Sequence, residues 1–259
     1  MRLLDPTNGP EGDCPGFSGE RRVFVIASTP RTGSTLFGQA LAETGRIGRP
    51  VEYLNPMQLR DWEVRFGSWG SRLRHAGLSG PLLGAVGWTW TAARRDAHLA
   101  RVMQLRTGSS GWFGLKLHAH HRRRWFGDRA IEDAIGPVTW VRVSRGDRLA
   151  QAVSWVRALQ THQWATSQRP WRAARYDGAA IAGRLAAIDA DEADWDRWLA
   201  GRTVCALRYE DLTVDLHGAV KQVFRHLGEA NDVPAPTPRL GRQADAESAA
   251  WIARFQAER

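Results

Sequence analysis

The sequence predicts an α/β fold in which a parallel β-sheet is flanked by helices. Four short apolar runs have the length and the continuous hydrophobicity of strands buried on both faces; they lie at residues 23–27, 112–117, 138–143 and 203–208. Helical patterns separate these runs, and strands that alternate with helices favour a parallel sheet. Such a sheet binds ligands outside the carboxyl ends of its strands, so the segments that follow the strands are the first candidates for a functional site.

The rest of the sequence is organised around these strands. Helical periodicity runs over residues 147–160, and residues 173–199 form a long, alanine-rich amphipathic stretch. Residues 55–110 are rich in Trp, Arg and Gly and contain helical pieces without a clear strand, which indicates a helical insertion on the substrate side. Residues 1–21 contain Pro, Gly and charged residues without periodicity. We therefore predict a flexible N-terminal arm at 1–21 and a single domain at 22–259.

The composition excludes several classes of protein. With 259 residues and a hydrophobic content of 43%, the chain can bury a core of its own. No segment reaches the length of a membrane span, about 20 apolar residues, and the first residues lack the apolar stretch of a signal peptide. We therefore expect a cytoplasmic protein without stable membrane insertion. Cys14 and Cys205 are far apart in the sequence, which indicates neither a disulfide framework nor a metal site.

The distribution of charge favours small anionic ligands. A net charge of +9 would suit a polyanion, but the basic residues are scattered apart from one dense run at 118–124. No zinc-finger or RNA-recognition signature is present, so no nucleic-acid partner is expected. Lys116 and Lys221 are the lysines among 36 basic residues. A lysine that persists in such an arginine-rich chain is a candidate for a role that arginine cannot fill, and Lys116, at the end of the second strand, is the stronger one.

A phosphate-binding loop lies between the first strand and the first helical pattern, at residues 28–36. The backbone N–H groups from Thr32 to Thr35 would be unpaired at the helix N-terminus, where the helix dipole favours an anion. Gly33 allows close approach of the backbone, Ser34 and Thr35 add hydroxyl donors, and Arg31 adds a positive charge. The Gly-x4-Gly-Lys pattern of nucleotide triphosphatases is missing. The loop instead resembles the 5'-phosphosulfate loop of sulfotransferases that use 3'-phosphoadenosine 5'-phosphosulfate (PAPS).

A second anion site is predicted after the third strand. Arg145 follows that strand, and Ser154 lies nine residues further on, within the predicted helix. Helical spacing places Gln151, Ser154 and Arg157 on one polar stripe opposite the apolar face. An arginine suits a fixed phosphate because its fork donates two parallel hydrogen bonds. This pair resembles the 3'-phosphate site of PAPS sulfotransferases, so the two motifs together describe a nucleotide with two phosphate groups.

Over its length from about residue 22 to the end, the chain resembles the bacterial trehalose 2-sulfotransferase family. The resemblance rests on several short segments: Arg31–Leu36, Gly48–Tyr53, Gly114–Leu117, Arg145–Asp147, Gln151–Trp155, and Arg242–Asp245 with Trp251. It implies a P-loop-like sulfotransferase fold, often homodimeric, with PAPS as cofactor and no metal requirement. By the same matching, Arg242 and Gln243 would close the nucleotide site from the C-terminal segment. Tyr209 would lie near the adenine.

Two residues compete for the role of general base. Glu52 matches the position of the presumed catalytic glutamate in the trehalose sulfotransferase family, and it is favoured because the overall match follows that family. His118 is the alternative, since Lys116-Leu117-His118 resembles the Lys-x-His element of alcohol and phenol sulfotransferases, and imidazole has a suitable unperturbed pKa. Arg31 is expected to neutralise the departing phosphate. Lys116 is expected to contact the transferring sulfonate as a mobile point charge.

The acceptor is defined only as a class of molecule. Tryptophans of the predicted insertion offer flat faces for a sugar or an aromatic ring; they are Trp62, Trp69, Trp88 and Trp90. No motif there specifies trehalose, so we expect a small-molecule hydroxyl on a sugar, glycoside or nucleoside-type natural product. Two alternatives remain open at this point. The loop alone would suit a nucleotide-dependent kinase, and the net charge of +9 would suit a non-catalytic binder of anions or nucleic acid.

Overall fold

A parallel four-stranded sheet forms the centre of the fold. The computed structural model describes residues 6–67, 91–165, 168–237 and 245–259. Within these ranges the strands follow the order β2-β1-β3-β4; they are β1 (Arg22–Ser28), β2 (Trp112–His118), β3 (Val138–Ser144) and β4 (Val204–Arg208). β3 and β4 pair in parallel with Val141 opposite Cys205. Each strand coincides with one of the four apolar runs, so the predicted α/β architecture is confirmed.

Helices connect and flank these strands. In chain order they are α1 (Ser34–Glu43), α2 (Pro56–Phe66), α3 (Ala92–Arg106), α4 (Ala119–Phe126), α5 (Glu132–Ile135), α6 (Arg148–Thr161), α7 (Gly178–Leu199), α8 (Tyr209–Val214), α9 (Leu216–His226) and α10 (Ala246–Ala257). The sequence predicts α6 to within a residue at each end. α7 begins later than residue 173, because the Asp177 side chain accepts a hydrogen bond from the Ala180 N–H and caps the helix there. In the described ranges, no helix combines the length and hydropathy that a membrane span requires.

The chain divides into two compact units, and the first contains Met1–Val25, Gly45–Leu117 and His121–Val138. Its core contains a cluster of aromatic rings. The Tyr53 and Phe113 rings stack with centroids 5.4 Å apart, and Trp62 meets the Tyr53 ring edge-on at 5.6 Å. Trp62 is completely buried, so it packs in the core and offers no face to an acceptor, contrary to the expectation from sequence. Trp69, Trp88 and Trp90 lie outside the described residues.

The beginning of the described part of the predicted N-terminal arm, around Asn8 and Gly9, is packed instead of extending loosely, whereas most of residues 15–20 are exposed. Asn8 is completely buried and donates a hydrogen bond to Asp61 Oδ2 at 3.0 Å. Arg106, also completely buried, donates to the backbone oxygens of Thr7 at 3.0 Å and Gly9 at 2.8 Å. Side chains from distant helices therefore satisfy the polar backbone of the arm, and no local pattern in residues 1–21 reveals this.

The second unit contains Ile26–Thr44, His118–His120 and Thr139–Arg259. Helices α6, α7 and α10 bury a common apolar core in it, to which Val153, Ile188 and Trp251 belong. Trp140 of β3 meets Trp195 of α7 edge-on, with ring centroids 6.0 Å apart. This packing fixes the position of α6, on which part of the predicted anion site depends.

The dense basic run at 118–124 is only partly solvated, since Arg123 and Arg124 are exposed and other members of the run are buried. His118 ends β2, and the following residues form α4. His118, His121 and Arg122 are each buried, and Arg122 donates a hydrogen bond to the backbone oxygen of Gly127 at 2.7 Å. Charge that is used inside the protein in this way adds little to a surface that would attract a polyanion.

Candidate functional site

The predicted phosphate loop joins β1 to α1 through two residues in the left-handed conformation. Arg31 has a φ of 68°, and Gly33, the N-cap of α1, has a φ of 76°. A Cβ atom at Gly33 would also lie 2.6 Å from Cδ2 of Tyr209. The glycine is therefore needed for its backbone angle and for the close packing of Tyr209. A left-handed residue followed by a helical one, as at Gly33 and Ser34, turns successive N–H groups towards one side, which suits an anion.

The hydroxyl groups of the loop have different surroundings. Thr32 is completely buried, and its Oγ1 donates to the backbone oxygen of Thr29 at 3.0 Å. Its hydroxyl therefore closes the turn, which leaves the backbone N–H as the group that Thr32 can offer a ligand. Ser34 is buried and Thr35 is exposed, so the two hydroxyls that the sequence groups together differ in their access to solvent.

The structure brings Arg31 of the predicted loop together with Arg145 and Ser154 of the predicted second anion site. Arg31 Nε donates to Ser154 Oγ at 2.9 Å, and Arg31 Nη1 donates to the backbone oxygen of Trp164 at 2.7 Å. Arg145 Nη1 donates to the backbone oxygen of Arg31 at 3.3 Å. The Ser154 hydroxyl thus accepts a hydrogen bond from the loop. The second unit therefore carries two guanidinium groups and a hydroxyl at the N-terminal side of α1.

Positive charge accumulates at the phosphate loop, where Arg31 and Arg145 lie close together. Burial lowers the pKa of Arg31 to about 10, and the neighbouring charge of Arg145 lowers it in the same direction, while Tyr209 opposes the change. The Arg145 guanidinium lies over the Tyr209 ring, 4.4 Å from its centroid. A bound anion would relieve the repulsion between the two arginines and would restore the ordinary preference of Arg31 for its charged form. The electrostatics of the loop therefore favour an anionic ligand.

Tyr209 is placed beside the loop, where it begins α8 and contacts Gly33 and Arg145. Its predicted approach to an adenine ring stays a prediction. Arg242 and Gln243 lie outside the described residues. The helix that follows them is anchored to the second unit, because Arg157 of α6 forms an ion pair with Asp245, the N-cap of α10, at 2.5 Å.

A buried network of hydrogen bonds holds the backbone of the phosphate loop in place. Gln151, completely buried, donates through Nε2 to Thr29 Oγ1 at 2.8 Å and to the Pro30 oxygen at 2.7 Å. Thr29 Oγ1 donates to Glu192 at 2.9 Å, and Glu192 is paired with Arg142 at 2.6 Å.

Ser154, on the same predicted polar stripe of α6 as Gln151, also contacts the loop, through Arg31. Arg157, the third residue of that stripe, instead forms ion pairs with Asp245 and Glu247 at the start of α10. Long-range hydrogen bonds therefore satisfy the polar side chains of the stripe.

A separate charged cluster lies in the first unit, around Glu52. Val51 pairs in parallel with Leu115 as an isolated β-bridge, and the Lys116 N–H donates to the Val51 oxygen at 3.0 Å. This bridge brings Glu52 and Lys116 side by side, and Lys116 Nζ lies 2.8 Å from Glu52 Oε1. Asn55 Nδ2 donates to the other carboxylate oxygen, Oε2, at 2.7 Å.

The ion pair between Glu52 and Lys116 is well shielded. The Lys116 side chain is 5% exposed and that of Glu52 is 12% exposed. Lys116 is therefore held in place, in contrast to the mobile point charge that the sequence suggested. Each oxygen of an ionised carboxylate has a second lone pair, so Glu52 keeps the capacity to accept a proton while both of its oxygens are engaged.

His118, the alternative base, has a fixed ring orientation. Its Nδ1 lies 3.0 Å from Ser28 Oγ, and it is buried. Its ring stacks on that of His120 with centroids 5.7 Å apart. His120 Nδ1 in turn lies 3.4 Å from Asp191 Oδ2. An oriented imidazole is a plausible proton acceptor, so the geometry keeps both predicted bases as candidates.

Sequence reasoning missed several residues of these clusters, among them Thr29, Asn55 and Glu192. The Asn55-Pro56 pair carries a local signal, since asparagine is a strong N-cap and proline is favoured in the first helical turn. That signal predicts the start of α2 but not the bond to Glu52. Glu192 carries no signal, because a carboxylate within a long helix is usually exposed. Across the described ranges, no group of three or more His, Cys, Asp or Glu residues could hold a metal ion.

The fold and the two groups of anion-binding residues are those expected of a sulfotransferase, and comparison with known proteins shows the family. Residues 23–258 match the family model described as Stf0 sulphotransferase, so the chain belongs to that family of enzymes. The trehalose 2-sulfotransferase of Mycobacterium tuberculosis is 29% identical over 274 residues, which cover 92% of this chain and 95% of that protein. The trehalose 2-sulfotransferase of Mycolicibacterium smegmatis is 27% identical over 253 residues, which cover 90% of this chain and 94% of that protein.

Among solved structures, a sulfotransferase from Alicyclobacillus acidocaldarius aligns with a TM-score of 0.46. The two chains are 14% identical over 93% of this chain and 96% of that one.

Proposed function

We propose that this protein transfers the sulfuryl group of PAPS to a hydroxyl of a sugar, glycoside or nucleoside-type small molecule. The observation that carries the proposal is the meeting of Arg31, Arg145 and Ser154 at the N-terminal side of α1. A nucleotide with two separate phosphate groups needs two such anion-binding elements within one site. Membership of the sulfotransferase family supports the reaction, and the names of the two mycobacterial relatives support a sugar as acceptor.

In this proposal the two anion motifs have different tasks. The backbone N–H groups from Thr32 to Thr35 hold the 5'-phosphosulfate, assisted by the helix dipole of α1. Arg145 and Ser154 hold the 3'-phosphate. Tyr209, Arg242 and Gln243 complete the nucleotide site, as the family resemblance implies.

The chemical step is an in-line displacement at sulfur. An oxygen of the acceptor forms a bond to the sulfur atom while the bond from sulfur to the phosphate oxygen breaks, and adenosine 3',5'-bisphosphate leaves. The proton of the acceptor hydroxyl passes to Glu52. Arg31 neutralises the charge that grows on the departing phosphate. Lys116, already beside Glu52, contributes positive charge to the transferring sulfonate.

His118 is the second candidate for the base, and a specific contact favours it. Ser28 Oγ engages its Nδ1, which fixes the ring and directs the other nitrogen, Nε2, away from Ser28. Glu52 remains the first candidate because its partners hold it as a carboxylate oriented through both oxygens. A homodimeric assembly, which the resemblance implies, stays a prediction that sedimentation of the purified protein would check.

An acceptor screen tests the proposed function. The purified protein is incubated with 35S-labelled PAPS, without added magnesium, and with a panel of trehalose, other disaccharides, monosaccharides and nucleosides. We expect label to appear on a sugar, with adenosine 3',5'-bisphosphate as the other product. A parallel reaction uses γ-labelled ATP and magnesium. Label transferred from ATP and not from PAPS would overturn the proposal in favour of a kinase.

A further inference from the structure

The side chain of Asn55 joins the start of a helix to the carboxylate of Glu52. Asn55 is the N-cap of α2, and its Oδ1 accepts a hydrogen bond from the Met57 N–H at 3.0 Å. Its Nδ2 donates to Glu52 Oε2 at 2.7 Å. The Asn55 N–H also donates to the Glu52 backbone oxygen at 2.9 Å, so the two residues are linked through main chain and side chain.

These two side-chain bonds fix the orientation of the amide. With the amide reversed, its oxygen would face the carboxylate of Glu52, and its NH2 group would face the N–H of Met57. Both contacts would then be repulsive, whereas in the observed orientation each is a hydrogen bond. The cap of α2 therefore determines which group Asn55 presents to Glu52.

The second contact restricts the carboxylate in a way that one contact does not. Lys116 holds Oε1 at 2.8 Å, but a contact to one oxygen alone still allows the carboxylate to turn about its last bond. Asn55 holds Oε2 from a position set by the start of α2. Together the two contacts fix the carboxylate plane, and with it the directions of its lone pairs. A base works best when the accepting lone pair already points along the path of the proton.

We propose that Asn55 is a positioning residue for sulfuryl transfer, acting through Glu52. The inference rests on the proposed function, since it gives Glu52 the role of base. It predicts that the amide donor of Asn55 affects turnover, whereas the cap oxygen of the same side chain affects stability. The two roles are separable because Ser and Asp are both good N-caps but neither presents an amide donor.

Three variants separate the two roles. Asn55→Asp and Asn55→Ser keep a cap oxygen, and Asn55→Ala removes both the cap and the donor. We expect kcat to fall by about tenfold in Asn55→Ser, which corresponds to the loss of one hydrogen bond to a charged group. The KM for PAPS and the melting temperature should stay close to those of the wild type. Asn55→Ala should show the same loss of kcat together with a lower melting temperature.

Asn55→Asp places a second carboxylate beside Glu52, which favours the protonated form of the pair. The acidic limb of the pH profile of kcat should therefore move to higher pH than in the wild type. A shift of this limb would show that the side chain at position 55 acts on the group whose protonation limits turnover. Wild-type kcat and an unchanged pH profile in both Asn55→Ser and Asn55→Asp would overturn the inference.

A readout without turnover keeps this inference distinct from the proposed function. The side-chain carboxyl carbon of Glu52 is followed by 13C NMR against pH in the wild type and in Asn55→Asp, with Glu52→Gln to assign the signal. We expect the titration midpoint to rise in Asn55→Asp. A shifted midpoint in a protein that transfers no label from PAPS would refute the proposed function while leaving the contact intact. An unshifted midpoint would refute the inference about Asn55.

Discussion

Two charged regions of this protein are built in opposite ways. At the loop of the second unit, Arg31 and Arg145 bring like charges together, and the charge of Arg145 adds to burial in lowering the pKa of Arg31 to about 10. In the first unit, Glu52 and Lys116 form a shielded pair of opposite charge at 2.8 Å. An added anion would stabilise the two arginines of the loop, whereas the opposite charges of Glu52 and Lys116 already balance each other.

This difference predicts different functions for the two regions. Like charges held together by the fold are most stable when a ligand of opposite charge separates them, so the loop is suited to binding. An ion pair whose two charges already balance gains little from a further charge. The pair of Glu52 and Lys116 is instead suited to hold the Glu52 carboxylate in a fixed position, where it can accept and release a proton. The comparison therefore predicts that substitutions at the loop change affinity, and that substitutions at Glu52 change turnover.

The largest expected effect is on turnover in Glu52→Gln. Glutamine keeps the size and a hydrogen-bonding oxygen but cannot accept the acceptor's proton. We expect kcat to fall by a factor of about 10² to 10⁴, the usual contribution of a general base. The affinity for adenosine 3',5'-bisphosphate should stay within about threefold, because binding is assigned to the other region. Steady-state kinetics and calorimetry on the same preparation would check both values.

His118→Ala is the matched comparison for that substitution. If turnover survives Glu52→Gln but is abolished in His118→Ala, the base is His118. The ion pair of Glu52 and Lys116 would then serve to hold Lys116 in position. The first unit would contribute a positioned cation instead of the base.

A smaller effect is expected on affinity in Arg145→Ala. Removing one charged contact to a phosphate should weaken binding of adenosine 3',5'-bisphosphate by about 10- to 100-fold. Arg148→Ala is the control, since Arg148 pairs with Asp189 at an exposed position where an ion pair contributes little. Equal losses in both variants would show that the loop responds only to overall charge.

The pH dependence of binding offers a further test. Arg31 is charged below its pKa of about 10 and loses that charge as the pH rises through this value. A bound anion raises the pKa of Arg31, so binding near pH 10 should take up a proton, and affinity should decline above it by up to about tenfold per pH unit. Calorimetry in buffers of different ionisation enthalpy measures this uptake. Binding without proton uptake near pH 10 would separate Arg31 from the ligand.

The smallest effect is expected at Asp245. A hydrogen bond from Arg157 is the main cause that lowers the pKa of Asp245, so the stabilisation is present at neutral pH and is lost as the pH falls through the acidic range. Asp245→Asn keeps the cap of α10 and should cost about 0.5 kcal/mol, whereas Asp245→Ala also loses the cap and should cost about 1 kcal/mol more. Denaturant unfolding would measure both. Equal costs would show that the cap contributes nothing.

The sequence predicts most of the elements because their signals are local. The apolar runs identify the four strands, and the stretch from Arg31 to Thr35 is correctly placed at the junction of β1 and α1, with Ser34 and Thr35 in the first turn of the helix. The segment before Asp177 continues a helical pattern, so the start of α7 is predicted too early; the cap itself was the better signal. Spacing on α6 places Gln151 and Ser154 on the correct face.

The remaining features depend on contacts between distant residues. Gln151 is buried because Thr29 and Pro30 satisfy its amide, and spacing within α6 carries no trace of that. Glu52 and Lys116 meet through a single β-bridge that no local periodicity encodes. The roles of these residues are harder still to predict from the sequence, because they depend on the ligands that the protein binds.

Calorimetric titration of the wild-type protein with adenosine 3',5'-bisphosphate, in the absence of magnesium, tests the central claim most directly. We expect one site per chain with a dissociation constant in the micromolar range or below, about −8 kcal/mol or more favourable, and weaker binding of AMP, which lacks the 3'-phosphate. Absence of binding, or equal affinity for AMP and the bisphosphate, would contradict the assignment of Arg31, Arg145 and Ser154 to a site for two phosphate groups.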